Sequence, residues 1–373
     1  MEKWFDVVVA GHLCLDLLPQ MDHLRLTDLT TPGRLFETGP MRFSTGGAVS
    51  NTGLALHRLG VDVRLMSNVG DDLLGQMIVS FLKSRDPLLA QHIREQIGTA
   101  SAYTVVLAPE KVDRIFLHCT GTNATFTSAD IDYEQVAHAK IFHLGYPPLL
   151  PALTNNDGKE LALLFQNVKA AGVITSLDTS LPDPNGASGR VDWQALLQNT
   201  LPFVDIFVPS IEEALFMLRR QDYDDWNGNC LEHLSYSYLH QLANRLLDMG
   251  AAVVGFKLGE LGMYLQAGDA KKLERLSELP ITSAAWANQQ VWHPAFAVEV
   301  VGTTGAGDSA YAGLLSALLH GMAIHEAAQW ACAVGACNVE AVDATSGIQS
   351  WEATSSRIRR GWSTNLSYRL PVK

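Results

Sequence analysis

Short apolar runs alternate along the chain with longer stretches whose apolar positions follow a helical spacing. Phe5 to Ala10 reads FDVVVA, a β-rich run broken at Gly11 in the manner of a central strand entering a loop, which places Asp16 just past a strand end. Leu54, Ala55, Leu56 and Leu59 precede Gly60, predicting a helix that begins near Asn51 and stops at the glycine, with the strand VDVRLMSNVG after it. DLLGQMIVSFLK is helical in pattern, and KIFHLG, GVITSLD, VDIFVP and AAVVGFKLG are short β runs separated by helical segments. Alternation of this kind predicts a mostly parallel sheet with helices on both faces.

Two segments break the alternation. Leu17 to Arg42 carries the turn residues Pro32, Gly33, Gly39 and Pro40, and Thr99 to Phe126 holds two hairpin-like strands, YTVVLA and RIFLHC, around PEKVD. Together they predict a small β accessory. Gln221 to Ser237 and Gly268 to Pro294 are expected as surface elaborations. From Trp351 the chain carries Arg357, Arg359, Arg360, Arg369 and Lys373 against Glu352, which predicts a solvated basic helix and a frayed end.

At 373 residues, 47% hydrophobic and 18% charged, the chain can fill the core of one large α/β domain with an accessory. Its net charge of −12 and pI near 5.4 oppose attraction to phosphate backbones or anionic lipid, so nucleic acid and membrane are not expected partners. No apolar stretch reaches the roughly 18 residues of a membrane span, and the opening has no basic leader region. Cys14, Cys119, Cys230, Cys332 and Cys337 are odd in number and contain no C-x-x-C pair, which predicts buried free thiols and a cytoplasmic setting.

The strongest chemical signal is Val300 to Gly313, VVGTTGAGDSAYAG, where an apolar strand end meets small residues and then a helical run. Gly305, Ala306 and Gly307 let backbone N–H groups converge at a helix N-terminus, an arrangement built to face an anion. Asp308 among those donors is expected to stay ionised, because hydrogen bonds to the charged form lower its pKa. It could then accept a hydroxyl proton as that oxygen attacks a phosphoryl group held by the same turn. Taken alone, Asp308 is equally well a helix-capping acid. The second signal is Ser44 to Gly60, STGGAVSNTGLALHRLG, where Gly46 and Gly47 expose backbone to a small polyol and Asn51 adds a donor and an acceptor. With Asp16 these residues make a polar sugar-side group. There is no G-x-x-x-x-G-K-[ST], G-x-G-x-x-G, H-x-x-x-H or G-x-S-x-G spacing, so a Walker-type fold, a Rossmann oxidoreductase, a metal hydrolase and an α/β-hydrolase are disfavoured. His118, His143 and His293 read as scattered strand or loop residues, and Trp286, Trp292 and Trp330 as packing.

GGAVSNTGLALHRLG near the N-terminus and VVGTTGAGDSAYAGLL near the C-terminus together resemble the PfkB (ribokinase-like) carbohydrate kinases. Between them, family-like features fall in order: Gly11 to Asp16, IFHLGYPPLLP, SLDTS around Asp178, VPSIEEA and VGFKLGELG. The resemblance spans nearly the whole chain and implies a three-layer α/β/α ribokinase-like sandwich with a mostly parallel sheet and a small β-sheet lid. The large domain would take residues 1–12, 43–97 and 127–373, and the lid 13–42 and 98–126. It further implies an ATP-dependent sugar kinase, fructokinase-like in wording. Asp308 would be the base; Gly305, Ala306 and Gly307 the anion hole; Asp16, Gly46, Gly47 and Asn51 the sugar site; Gly259, Gly262 and Thr304 the nucleotide side. Glu213 would meet Mg2+ through water.

Three departures qualify these implications. Gly302 stands where the family usually has an Asp that helps place a monovalent cation, which leaves potassium open. Ser210 replaces the Asn of N-x-x-E, and GGAVSN replaces the ribokinase-type GGKGAN, so ribose specificity is not implied. A non-catalytic sugar or nucleotide sensor on the same fold and a nucleoside kinase of the same family remain the alternatives. The sugar is a small molecule; Arg34, Arg114 and Asn123 lie in the lid segments, where they could touch it but are read first as solvated surface. Edge-strand pairing and family habit predict a homodimer through the lid.

Overall fold

The computed structural model describes residues 2–21, 23–110, 115–365 and 370–371. Its centre is a sheet whose strands are β1 (Phe5–Gly11), β4 (Val63–Gly70), β5 (His92–Gln96), β8 (Ala139–Gly145), β9 (Ile174–Leu177), β10 (Ile206–Phe207), β11 (Val253–Lys257), β12 (Met263–Ala267) and β13 (Gln290–His293). Their spatial order is β13-β12-β11-β10-β9-β8-β1-β4-β5. The seven strands from β11 to β5 pair in parallel, and β12 and β13 close one edge antiparallel.

The apolar runs owe their continuity to burial on both faces. In β1, Val7 and Val9 belong to one core cluster and Val8 and Ala10 to the other. Both clusters are buried, and a fully buried side chain of Val or Leu size contributes roughly 1.5–3 kcal/mol. A charge at any of the four positions would have no paired environment. The helix Ala48–Arg58 packs on one side with the helices Ala306–Leu319 and Ile324–Val339, while Pro151–Ala170 and Tyr236–Met249 cover the other.

A second sheet contains β2 (Cys14–Pro19), β3 (Met41–Gly46), β6 (Tyr103–Leu107) and β7 (Ile115–Cys119), ordered β3-β2-β6-β7. β2 pairs antiparallel with β3 and parallel with β6, and β6 pairs antiparallel with β7. The strand ending in the paired glycines therefore belongs to this sheet through Gly46, and the turn PEKVD falls partly on 111–114, outside the described residues. Leu15, Leu17 and Tyr103 face the main core. On the other face, register lines up Ser44, Asp16, Thr104 and His118 as one polar row across all four strands.

Three expectations differ from what folds, and one strand lies where the apolar pattern predicts none. The helix after the paired glycines starts at Ala48, three residues before Asn51, because Gly47 with φ 86° serves as its N-cap. HIREQ is a strand despite its polarity, since an edge strand needs only one paired side. Gly268 to Pro294 is not a surface elaboration: it supplies β13 and the fully buried Trp286. The C-terminal helix Trp351–Arg359 is seated rather than solvated, with Trp351 stacked on Trp330 at 3.6 Å and Arg357 donating bidentately to Glu340 at 2.6 and 2.8 Å. Arg369 and Lys373 lie outside the described residues.

The cysteines are free, four of them buried and Cys119 half-buried. His118, His143 and His293 sit on β7, β8 and β13. Among the described residues no helix is long and apolar enough to cross a membrane.

Candidate active site

In an open parallel sheet the carboxyl ends of the strands form the natural ligand crevice. Here β1, β8, β9, β10 and β11 deliver to one edge His12, Tyr146, Asp178, the Ser210–Glu213 turn and Lys257. The Ala306–Leu319 helix points its N-terminus at the same edge. Gly305, at φ 73°, is its N-cap, where a left-handed backbone suits glycine and starts the helix abruptly.

Asp308, in the first turn of that helix, is buried and fully engaged. Its Oδ2 accepts from the Tyr146 hydroxyl at 2.7 Å and the Asn51 side-chain amide at 3.0 Å, and its Oδ1 accepts from the Thr52 hydroxyl at 3.3 Å. Two adjacent residues of the Ala48–Arg58 helix thus grip a carboxylate 257 positions along the chain. Burial lifts the Asp308 pKa, and the Tyr146 hydroxyl, the Lys257 charge, Asn51 and Thr52 pull it back without cancelling the rise. The expectation that hydrogen bonds alone would set it low is corrected: desolvation outweighs them.

Tyr146 holds a left-handed conformation, φ 64°, between Gly145 and Pro147, a strained geometry of the sort functional sites retain. Its phenol is pushed up, first by burial and then by Asp308 and Asp178, so it stays a donor.

Lys257, like Tyr146, is a site residue that no local spacing in the sequence marks. Its ammonium donates to Asp178 Oδ1 at 2.6 Å, and the Thr179 amide donates to the same oxygen at 2.8 Å. Burial works to remove the Lys257 proton, but Asp178, Glu213 and Asp308 together outweigh it and hold the side chain cationic. Burial pushes Asp178 in the opposite direction, upward. The ammonium lies 3.4 Å from where a Cβ on Gly307 would stand, so it faces the helix N-terminus.

Glu213 and Ser210 form a capping box: the Ser210 amide donates to Glu213 Oε2 at 2.8 Å and the Glu213 amide to Ser210 Oγ at 3.2 Å. The serine in place of asparagine therefore fixes the glutamate rather than losing it. Burial raises the Glu213 pKa.

Two cavities meet at the helix N-terminus. One, of about 420 Å3, is lined by Tyr146, Ser210, Glu213, Lys257, Gly307 and Asp308 among others. The other, of about 690 Å3, has apolar walls including Phe296, Val298, Ala331 and Val339. Lys257, Gly259, Thr303, Ala306 and Gly307 line both. Gly262 lines the larger one, and Thr303 rather than its neighbour Thr304 is the lining residue of that pair. The seated C-terminal segment adds Asn365 to the same wall.

Asp16 and Gly46 are on the second sheet, and Gly47 caps the Ala48–Arg58 helix whose Asn51 and Thr52 reach Asp308. Burial raises Asp16 to about 6, opposed by hydrogen bonds with Cys14 and Thr104. A Cβ on Gly46 would run into the Asp16 carboxylate and one on Gly47 into the His12 ring. Asn123 is spent on the backbone of Leu13, donating to its carbonyl at 3.0 Å. Arg34 is exposed over Phe36, and Arg114 lies outside the described residues.

A site for a monovalent cation built on a carboxylate at position 302 does not fit here. A Cβ on Gly302 would stand 2.8 Å from the Ala341 carbonyl oxygen and 2.9 Å from that of Val342. Magnesium fits differently. Among the described residues no three acidic, histidine or cysteine side chains converge on a metal position, whereas Glu213 lines the smaller cavity and Asp178 Oδ2 is buried without a partner. Such donors suit an ion that arrives with its own ligands and waters.

Residues 5–351 match the profile of the pfkB family carbohydrate kinases. A probable chloroplastic fructokinase-6 of Arabidopsis thaliana is 26% identical over 93% of this chain and 80% of its own length. Among solved structures, Arabidopsis thaliana ribokinase complexed with ribose and ATP superimposes with a TM-score of 0.70 at 18% identity, covering 95% of this chain and 98% of that one. A ribokinase II from E. coli in complex with ATP and Mg2+ gives 0.68 at 20% identity, covering 96% and 100%.

Proposed function

Because the chain belongs to the pfkB family of carbohydrate kinases and is an ATP-dependent sugar kinase, we propose that Asp308 is its catalytic base and that the sugar and the nucleotide approach it from opposite sides. The observation that carries this reading is that Asp308 lines the smaller of the two cavities at the helix N-terminus while accepting from the Asn51 side-chain amide. ATP would lie with its base against the apolar walls of the larger cavity and its phosphates toward Gly305, Ala306 and Gly307 at the helix N-terminus, where the helix dipole favours an anion. Gly259, Gly262 and Thr303 belong to that side.

A sugar hydroxyl held near Asp16, Gly46, Gly47 and Asn51 gives its proton to Asp308 as its oxygen bonds to the γ-phosphorus and the bond to ADP breaks. Oδ1, held only by the longer Thr52 bond, is the freer oxygen for that proton. A carboxylate made more basic by burial is better matched to a hydroxyl than an exposed one. Lys257 balances charge at the transferring phosphoryl group. Magnesium, when bound, would neutralise phosphate charge, and Glu213 would hold one of its waters.

The second sheet acts as the lid in this reading: its polar row Ser44–Asp16–Thr104–His118 supports a sugar-facing role. Met41, Phe43, Phe116 and Leu117, exposed on the edge strands β3 and β7, support a homodimer formed there. The five free cysteines support a cytoplasmic setting.

The test is ADP release with Mg-ATP across ketohexoses, pentoses, sugar acids, polyols and nucleosides, with Asp308→Asn in parallel. Turnover on one class should fall about 100- to 10,000-fold in the variant while calorimetric sugar binding persists. Retention of turnover by Asp308→Asn would remove the base assignment, and preference for a nucleoside would move the acceptor class.

A further inference from the structure

Buried polar groups in native proteins are almost always hydrogen-bonded, and on the sugar side of Asp308 three atoms are not. Both ring nitrogens of His12 are buried without a partner, and so is Asn51 Oδ1, although Asn51 donates its amide to Asp308. His12 is 2% exposed and sits in the connection between β1 and β2. Its backbone is already committed, with its carbonyl accepting from the Val49 amide at 3.1 Å. Its ring lies between the two halves of the site, 5.2 Å from the His118 ring on the second sheet and 6.0 Å from the Tyr146 ring that serves Asp308. His118 is satisfied, its Nδ1 bonded to the Thr104 hydroxyl at 3.0 Å, so the unmet capacity belongs to His12.

The paired glycines define where that capacity lies. Gly46 abuts the Asp16 carboxylate and Gly47 abuts His12 Nδ1, so the glycine pair brings backbone up to both side chains from consecutive positions. Burial, assisted by the neighbouring His118, pushes the His12 pKa down to about 3. The ring is therefore a neutral imidazole with one donor and one acceptor. Such a pair matches a hydroxyl, which both donates and accepts. It offers no charge to a carboxylate or phosphate, and the Asp16 carboxylate against Gly46 would repel one.

Building on the proposed placement of the sugar, we infer that His12 is a specificity-determining residue that hydrogen-bonds hydroxyls of the acceptor, and that the acceptor is uncharged at the end lying between His12 and Asp16. A site whose buried polar groups go unpaired without the right hydroxyl discriminates strongly by that loss.

The experiment measures ADP release at saturating Mg-ATP with D-fructose, D-ribose, D-mannose, D-fructose 6-phosphate and D-gluconate for the full chain and for His12→Phe, His12→Gln and Asp16→Ala. An uncharged sugar should be preferred over the phosphate and the aldonate. His12→Phe, which keeps an aromatic ring but no hydrogen bond, should raise the KM of that sugar at least tenfold, leave the KM of ATP within twofold and hold the melting temperature. His12→Gln, which restores a donor and an acceptor, should recover part of the loss and stands in if the phenylalanine variant does not fold. A wild-type sugar KM in His12→Phe alongside a raised one in Asp16→Ala would overturn the role of His12 while leaving the pocket in place. Wild-type sugar KM values in both variants would remove the pocket assignment itself. Preference for the phosphate or the aldonate would overturn the uncharged class.

Discussion

Asp16 and Asp308 are both buried carboxylates, yet their neighbours fit them for different work. Asp308 takes three hydrogen bonds and faces a lysine, which oppose the upward push of burial on its pKa without cancelling it. Asp16 accepts from a thiol at 3.4 Å, and burial raises it from its usual 3.8 to about 6. On the proposed assignment, the KM of the sugar should climb as pH falls through about 6, by about tenfold per unit once one proton controls binding. Asp16→Asn should flatten that limb. The sign for stability is opposite: between its usual value and about 6 the native state binds more protons than the unfolded chain, so acid relieves the cost of burying Asp16. Melting curves at pH 5 and 7 separate the two, because an acid loss of activity caused by unfolding would appear in both measurements.

Elements explain which parts of the chain could be read in advance. FDVVVA is legible as a central strand because both faces of β1 are buried, and the Gly305–Asp308 turn because a helix start is encoded within a few residues. HIREQ carries no apolar pattern since β5 pairs on one side only, and the antiparallel β12–β13 edge depends on a partner across the sheet. The loop after the Ile324–Val339 helix is a further case of long-range control. The Ala341 and Val342 carbonyls close over Gly302, so a carboxylate there would have to displace backbone. Turnover should accordingly be the same, within about twofold, in potassium, sodium or tetramethylammonium chloride at equal ionic strength. A several-fold rise specific to potassium would show that another set of oxygens holds the ion.

At the scale of the molecule, the edge strands β3 and β7 carry Phe43, exposed by 47%, and Phe116, by 56%. If these edges pair two copies, Phe43→Asp with Phe116→Asp should halve the mass measured by light scattering, and an unchanged mass would place the interface elsewhere. The whole-molecule scale also explains what the sequence withheld about the site. Lys257, Tyr146 and His12 gain their roles from strands distant in sequence meeting at one sheet edge, and no local spacing announces that. Lys257 gave the only faint signal, a lysine closing the apolar run VVGF. The grip of Asn51 on Asp308 spans 257 positions, and contacts of such separation form late because the intervening loop must first close. On the proposed assignment, a nascent chain emerging from the ribosome therefore carries Asp16 and Asn51 long before it has Asp308 to set against them. On that assignment an incomplete chain has no base with which to spend ATP while it is still being made.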